Sequence, residues 1–122
     1  MRVYIPVTRS DVERRATEGF WTVSPRRGWA VNPALARALP DEDDEGREFI
    51  ASLTAASESA SHLAIAADIP TSMLGDEGTH GDVEVQGVVR DADVACILQR
   101  DPDDEDALIW FAPAEFATLL ER

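Results

Sequence analysis

Apolar residues alternate with other residues at the start of the chain, at Val3, Ile5 and Val7. This period of two is typical of a half-buried β-strand. Later stretches of Val, Ile, Leu and Ala between turn-forming residues favour the same structure. They predict four further strands, at 62–69, 83–89, 94–98 and 107–111.

Capping residues predict two short helices in the first third of the chain. Ser10 and Glu13 have the spacing of a capping box, and Gly19 stands where a helix C-terminal glycine belongs. These residues predict a helix over 11–18. A second helix is predicted to begin at Asn32-Pro33, where an N-cap side chain is followed by a proline in the first turn.

A longer helix is predicted from Asp41 to about Ser61. Its apolar residues recur at helical spacing and form a stripe that should pack on a sheet: Phe49, Ile50, Leu53, Ala56 and Ala60. Pro113 predicts the start of a terminal helix. The predicted fold is a single α+β domain over residues 1–122. It contains a mainly antiparallel sheet of four to five strands with helices packed on one face.

Two stretches are predicted to lie outside this framework because they carry helix- and strand-breaking residues. Pro25 and Gly28 favour an ordered loop or a short extended segment over 20–31. Residues 70–82 hold one proline and three glycines and form the most loop-like segment of the chain.

Charge divides the chain into two parts. Residues 1–40 hold seven arginines and three acidic residues, a net of +4, whereas residues 41–122 hold four arginines and 21 acidic residues, a net of −17. A polarised molecule of this kind is expected to select partners partly by electrostatics. The chain contains no lysine, which excludes Schiff-base chemistry and a lysine-containing phosphate loop.

The remaining composition suggests a cytoplasmic protein. No apolar run approaches the roughly 20 residues that a membrane helix needs. The single cysteine, Cys96, rules out an intramolecular disulfide and is expected to act as a small apolar residue at an inward strand position.

The arginine-rich third supplies a candidate binding site for phosphates or bases, because arginine and aromatic side chains bind and stack on such groups. Its members are Arg14, Arg15, Trp21, Arg26, Arg27 and Trp29. The alternative is that these arginines pair with acidic residues of the same molecule or of a neighbour. The net charge of −13 favours that alternative and makes nucleic acid an unfavourable partner.

A candidate metal site lies in the glycine-rich loop, where Asp76, His80 and Asp82 stand close together in sequence, with Asp68 as a further ligand. A polar loop without metal would have the same composition. The acidic clusters at 41–46 and 101–106 fail the calcium-loop pattern, because position 12 is Ser52 or Ala112 instead of a glutamate. Carboxylates that complement a helix dipole, or that lie in a solvated turn, explain both clusters.

Three segments resemble a family of small actinobacterial proteins of unknown function. They are the opening Met-Arg-Val-Tyr-Ile-Pro-Val-Thr with its capped helix, the central Ala-Ile-Ala-Ala-Asp-Ile-Pro, and the closing Ile-Trp-Phe-Ala-Pro-Ala-Glu-Phe-Ala-Thr-Leu-Leu. The resemblance implies a cytoplasmic actinobacterial origin, which would account for the missing lysines. It implies no catalytic residues.

The sequence therefore predicts a non-enzymatic protein-binding or accessory module with no cofactor. A protein partner is expected, and a homodimer joined basic face to acidic face is one form of that contact. Two alternatives stay open. One is a small metal-dependent enzyme that uses the 76–82 loop, and the other is a nucleotide- or RNA-binding protein that uses the arginine- and tryptophan-rich third.

Overall fold

A computed structural model describes residues 1–120 and contains one antiparallel sheet with helices packed on it. The strands are β1 (Arg2–Val7), β2 (Phe20–Ala30), β3 (Leu63–Asp68), β4 (Leu74–Glu77), β5 (Asp82–Arg90), β6 (Val94–Asp101) and β7 (Asp104–Phe111). The helices are α1 (Arg9–Glu18), α2 (Pro33–Ala38), α3 (Asp44–Glu58) and α4 (Phe116–Leu120). The α+β class and the antiparallel sheet are confirmed. None of these helices is long and apolar enough to cross a membrane.

The sheet has seven strands in the order β4-β5-β2-β1-β3-β6-β7, so the prediction of four to five strands is wrong. The two additional strands, β2 and β4, come from the stretches predicted as loops. In β2 the ladder to β5 is interrupted between Val23 and Arg26, and this irregularity accommodates Pro25. Gly28 is buried, and a Cβ at this position would lie 2.8 Å from Cγ1 of Val3. The two breakers therefore have positional roles within a strand.

The sheet is strongly curled. Four strand intervals separate β5 from β6 in the sheet order, which is about 19 Å across a flat sheet. The 3₁₀ turn Asp91–Asp93 that joins these strands spans at most about 14 Å. The strands must therefore bend towards each other. The long β2 pairs with β1 at only two positions, Val3 with Ala30 and Tyr4 with Trp29, and diverges from β1 beyond them.

Helices cover both faces of this sheet, so their predicted placement on one face is wrong. The inner face carries the larger core cluster, in which Val12 of α1 and Phe116 of α4 pack on strand residues such as Ile65. The outer face carries a second cluster, in which α3 packs through alanines. This helix lies on small strand residues of the same cluster, among them Ala64 and Ala66.

Caps set the helix ends. The cap glycine Gly19, with φ 82°, and the Asn32 side chain that accepts from the Leu35 N–H are confirmed. The predicted Ser10–Glu13 capping box is wrong, because α1 begins two residues earlier, at Arg9, with Thr8 and Asp11 in those roles. The third helix begins at Asp44, after an N-cap at Asp43, instead of at Asp41.

Candidate protein-binding surface

Arg15, from the predicted phosphate-binding set, is part of an intramolecular ion pair. Its guanidinium donates two hydrogen bonds to Asp91, of 2.8 and 2.6 Å. The same group lies over the Phe116 ring, 4.9 Å from its centroid. Arg15 thus ties α1 to the β5–β6 turn and to α4.

Arg26 fills the space where β1 and β2 diverge. Its Nη1 donates to the Pro6 carbonyl at 2.9 Å and to Asp11 Oδ2 at 3.0 Å. Burial alone would raise the pKa of the Asp11 carboxyl, but hydrogen bonds from Thr8 and Arg26 and the Arg26 charge hold that pKa below its usual value. The Arg26 side chain is mostly covered, and its place in the fold is structural.

The other members of the predicted set do not converge on one site. Arg14 pairs with Asp11 at 3.0 Å, and Arg27 pairs with Asp82 at 3.2 Å while its side chain stays 67% exposed. Trp21 is buried in the inner core cluster, whereas Trp29 packs against the outer cluster. The two tryptophans therefore lie on opposite faces of the sheet.

Two adjacent clefts share Arg26 and Arg27. One, of about 320 Å³, is also lined by Pro25, Asp76 and Glu84. The other, of about 290 Å³, is also lined by Pro6, Trp29 and Glu58. Carboxylates border both clefts, and their charge opposes the binding of phosphate.

The predicted metal ligands do not form a ligand cluster. Asp82 accepts from the His80 backbone N–H at 3.2 Å and pairs with Arg27. The His80 ring nitrogen Nδ1 lies 2.9 Å from the Thr79 hydroxyl, and Asp76 lines the cleft beside Arg27. Within residues 1–120, no three His, Cys, Asp or Glu side chains are arranged to hold a metal ion. The metal hypothesis stays a prediction without geometric support.

An exposed apolar surface lies between α3 and β7. Trp110 is 59% exposed and Phe49 is 44% exposed, although the sequence places Phe49 in the buried stripe of its helix. Leu53 stands one helical turn after Phe49, on the same flank as Ser57. That flank faces β6, because the Ser57 hydroxyl lies 3.5 Å from Nη1 of Arg100.

The strand side of this surface consists of Leu108 and Trp110. They pair with Arg100 and Leu98, whose side chains share their face of the sheet. Leu98 belongs to the outer core cluster, and Leu108 packs against it. We call Phe49, Leu53, Leu108 and Trp110 the α3–β7 surface.

The Trp110 indole lies next to the Cys96 thiol. It hydrogen-bonds that thiol, which is buried as the sequence predicts. Burial raises the pKa of the Cys96 thiol, and the Trp110 hydrogen bond offsets this rise only in part. The thiol is therefore protonated at neutral pH and serves as a packing residue, while most of the Trp110 side chain stays exposed.

Carboxylates flank the α3–β7 surface at both ends of α3. The N-terminal end lies over Tyr4, where Glu48 adds to the rise that burial causes in the pKa of the Tyr4 hydroxyl. Its C-terminal end lies over Val7, whose carbonyl accepts from the Ser59 hydroxyl. The acidic start of β7 is at this second end, because Asp101 pairs with Asp104 next to Arg100. The two acidic clusters are thus separated by the length of α3.

The sequence signals for this surface are weak. Alternation along β7 places Leu108 and Trp110 on one face, but it gives no indication that α3 stops short of covering them.

Comparison with known protein families assigns the chain to one of them, because a family model matches residues 1–107. The chain belongs to the family of unknown function DUF6912. No curated protein and no solved structure matches the chain. Membership of DUF6912 confirms the expected relationship to proteins of unknown function and brings no functional residues with it.

Proposed function

We propose that this DUF6912 protein is a non-enzymatic protein-binding module and that the α3–β7 surface is its contact surface. The observation that carries the proposal is the exposure of two aromatic side chains, Trp110 on β7 and Phe49 on α3, with the indole hydrogen-bonded to the buried Cys96 thiol. Exposed aromatic side chains that are already ordered lose little entropy on binding and are frequent in the centres of interfaces.

The charges around the other candidate sites support the same conclusion. Arg15 and Arg26 already have carboxylate partners within the chain, so a phosphate would have to compete with them. Cys96 is buried and protonated, which does not suit a nucleophile.

The cytoplasmic location, the actinobacterial origin and the homodimer stay predictions. Sedimentation at low and high salt tests the homodimer.

Affinity capture with two matched variants tests the proposed contact surface. Trp110→Glu places a charge on the α3–β7 surface, whereas Val88→Glu places the same charge on β5, where Val88 is 55% exposed. We expect the wild type and Val88→Glu to capture the same protein from native cytoplasm. The purified captured protein should then bind Trp110→Glu at least tenfold more weakly than Val88→Glu. Equal binding by the two variants would exclude the α3–β7 surface as the contact.

A nucleotide-binding function is the second candidate, favoured by the one cleft that Arg27 and Trp29 both line. Titration of the protein with nucleotides and oligonucleotides at low salt tests it. An unchanged tryptophan emission would exclude this function. Metal analysis of wild-type and His80→Ala protein, both purified without chelator, tests the metal-dependent alternative. Absence of bound metal from the wild type would exclude it.

A further inference from the structure

We infer that the partner of the α3–β7 surface presents a basic segment with an apolar side chain at its centre. The inference rests on the proposed function and adds the chemistry of the partner. It follows from the carboxylates at the two ends of the surface, which outnumber the cation Arg100 beside Leu108, and from the spacing of those carboxylates.

The carboxylates at both ends of the surface are free to pair with a partner. In the described part of the chain, Glu45 and Glu48 of α3 make no ion pair, and neither do the three acidic residues that begin β7. These last three are Asp104, Glu105 and Asp106, all of them exposed. A basic segment would neutralise both groups and would be attracted at long range by the net charge of −17 over residues 41–122.

A second copy of the chain is a poor occupant of the same surface. It would bring its own acidic helix start and acidic strand start against those already present. Like charges at an interface cost free energy and are a common device against self-association at sheet edges. The edge strand β7 is also irregular, since four of its residues, 104–107, span one step of β6. The acidic residues that disfavour a second copy on this surface therefore also favour a basic partner there.

The dimensions of α3 set the size of the segment. Its 15 residues give a length of about 22 Å, with acidic residues near each end and Phe49 and Leu53 between them. An extended chain covers this length in about seven residues. The fitting ligand is thus a short segment with basic residues at both ends and an aliphatic residue in the middle.

A defined peptide tests the inference. The probe is the peptide Arg-Arg-Ser-Leu-Ser-Arg-Arg. Its controls replace the arginines by glutamates or the leucine by serine. Trp110 is the reporter, because it is the most exposed large apolar residue of the described chain, whereas Trp21 is buried. We expect the arginine–leucine peptide to shift the emission to shorter wavelength and to protect it from acrylamide, and Trp110→Phe to remove both effects.

Two charge-reversed variants with the same net charge separate a local site from general attraction. The first changes Asp104, Glu105 and Asp106 to arginine, and the second changes Asp76, Glu77 and Glu84 to arginine at the β4–β5 side of the sheet. We expect the first to weaken peptide binding more than tenfold and the second less than threefold. Circular dichroism of both variants verifies that they are folded.

The inference would be overturned by equal weakening by the two variants, by equal binding of a control peptide, or by no binding up to millimolar concentration. A dimer that Trp110→Glu dissociates would also overturn it in favour of a second copy. If the peptide fails while a captured protein still depends on Trp110, the proposed function stands and only the basic character of the partner is wrong.

Discussion

The arginine-rich N-terminal third and the acidic remainder differ in how their charges are used. Six of the seven arginines in residues 1–40 donate to a carboxylate or a backbone carbonyl of the same chain. In the segments 41–45 and 103–106, by contrast, nine acidic residues lie in the described chain and only Asp44 has an ion pair. The arginines are therefore largely paired within the chain, whereas the carboxylates of these two segments are largely unpaired.

The comparison shows that a local excess of charge in a sequence does not locate a binding site. Arg15 and Arg26 hold α1, the diverging strands and the β5–β6 turn together. The acidic segments leave charge available at the ends of a surface that also exposes Trp110. The candidate contact region therefore lies on α3 and β7 and not in the first third of the chain.

The two tryptophans of these regions should differ most in their effect on stability. Trp21 is 2% exposed and meets Phe116 edge-to-face with 6.2 Å between ring centroids. Trp21→Ala should lower the free energy of unfolding by about 4 kcal/mol, whereas Trp110→Ala should lower it by less than about 1 kcal/mol. Urea unfolding monitored by circular dichroism measures both. If Trp21→Ala does not fold, Trp21→Phe provides the comparison at about 2 kcal/mol. Equal losses at positions 21 and 110 would contradict the assignment of Trp21 to the core.

Alanine variants of the adjacent arginines Arg26 and Arg27 of β2 should show the second-largest difference in the free energy of unfolding. Arg26→Ala removes one of the two arginine partners of the mostly buried Asp11, which keeps Arg14, and it also removes the hydrogen bond to the Pro6 carbonyl. The two losses together should cost about 2 kcal/mol. Arg27→Ala removes an ion pair whose arginine side chain is 67% exposed, while the Asp82 carboxylate still accepts from the His80 backbone N–H, so the cost should be less than about 1 kcal/mol. Chemical denaturation of the two variants under one condition measures the difference. A larger cost for Arg27→Ala would mean that Arg26 is not the structural arginine.

Much of the fold could be predicted from local patterns, and the elements that were missed depend on pairing with distant residues. The strand spacing of Val3, Ile5 and Val7 and the caps at Gly19 and Asn32 depend on neighbouring residues only, and the structure confirms them. The strand β2 was hidden because Pro25 usually marks a loop, and only its place at a ladder irregularity makes it compatible with a strand. Long-range register cannot be derived from spacing.

The candidate site was harder to predict for the same reason. The pairing of Arg15 with Asp91 joins residues 76 positions apart, and no sequence pattern announces it. Phe49 follows the helical spacing of a buried stripe, yet α3 turns its alanines to the sheet because small residues allow closer packing. The larger Phe49 side chain is left at the flank. Exposure is a property of the assembled layers, so the α3–β7 surface became visible only in the structure.

Acidic pH should weaken the arginine-rich region first. The pKa of Asp11 lies below its usual value in the folded state, because hydrogen bonds from Thr8 and Arg26 outweigh the effect of burial. A depressed folded pKa contributes stability that is present above the unfolded pKa of about 3.9 and is lost as pH falls through the folded value. Wild-type protein should therefore lose stability below about pH 4 more steeply than Asp11→Asn, which lacks this titration. Thermal unfolding from pH 2 to pH 7 compares the two, and parallel profiles would show that Asp11 makes no special contribution.

Neutral substitutions of the acidic residues should have the smallest effects, but of opposite sign in the two regions. Asp68 pairs with Arg2 at 2.7 Å, so Asp68→Asn should lower the free energy of unfolding by about 0.5 kcal/mol.

In the acidic region, changing Asp104 and Asp106 to asparagine and Glu105 to glutamine removes repulsion between the carboxylates. It also keeps the oxygen of residue 104 that accepts from the backbone N–H of residue 106. This triple variant should raise the free energy of unfolding by about 0.5 kcal/mol at low salt. The gain should vanish at 0.5 M salt, because the salt already screens the repulsion between the wild-type carboxylates. Urea unfolding at both salt concentrations measures the two signs. A loss of stability in the triple variant would mean that these carboxylates support the fold, and the distinction between internal and available charge would then fail at β7.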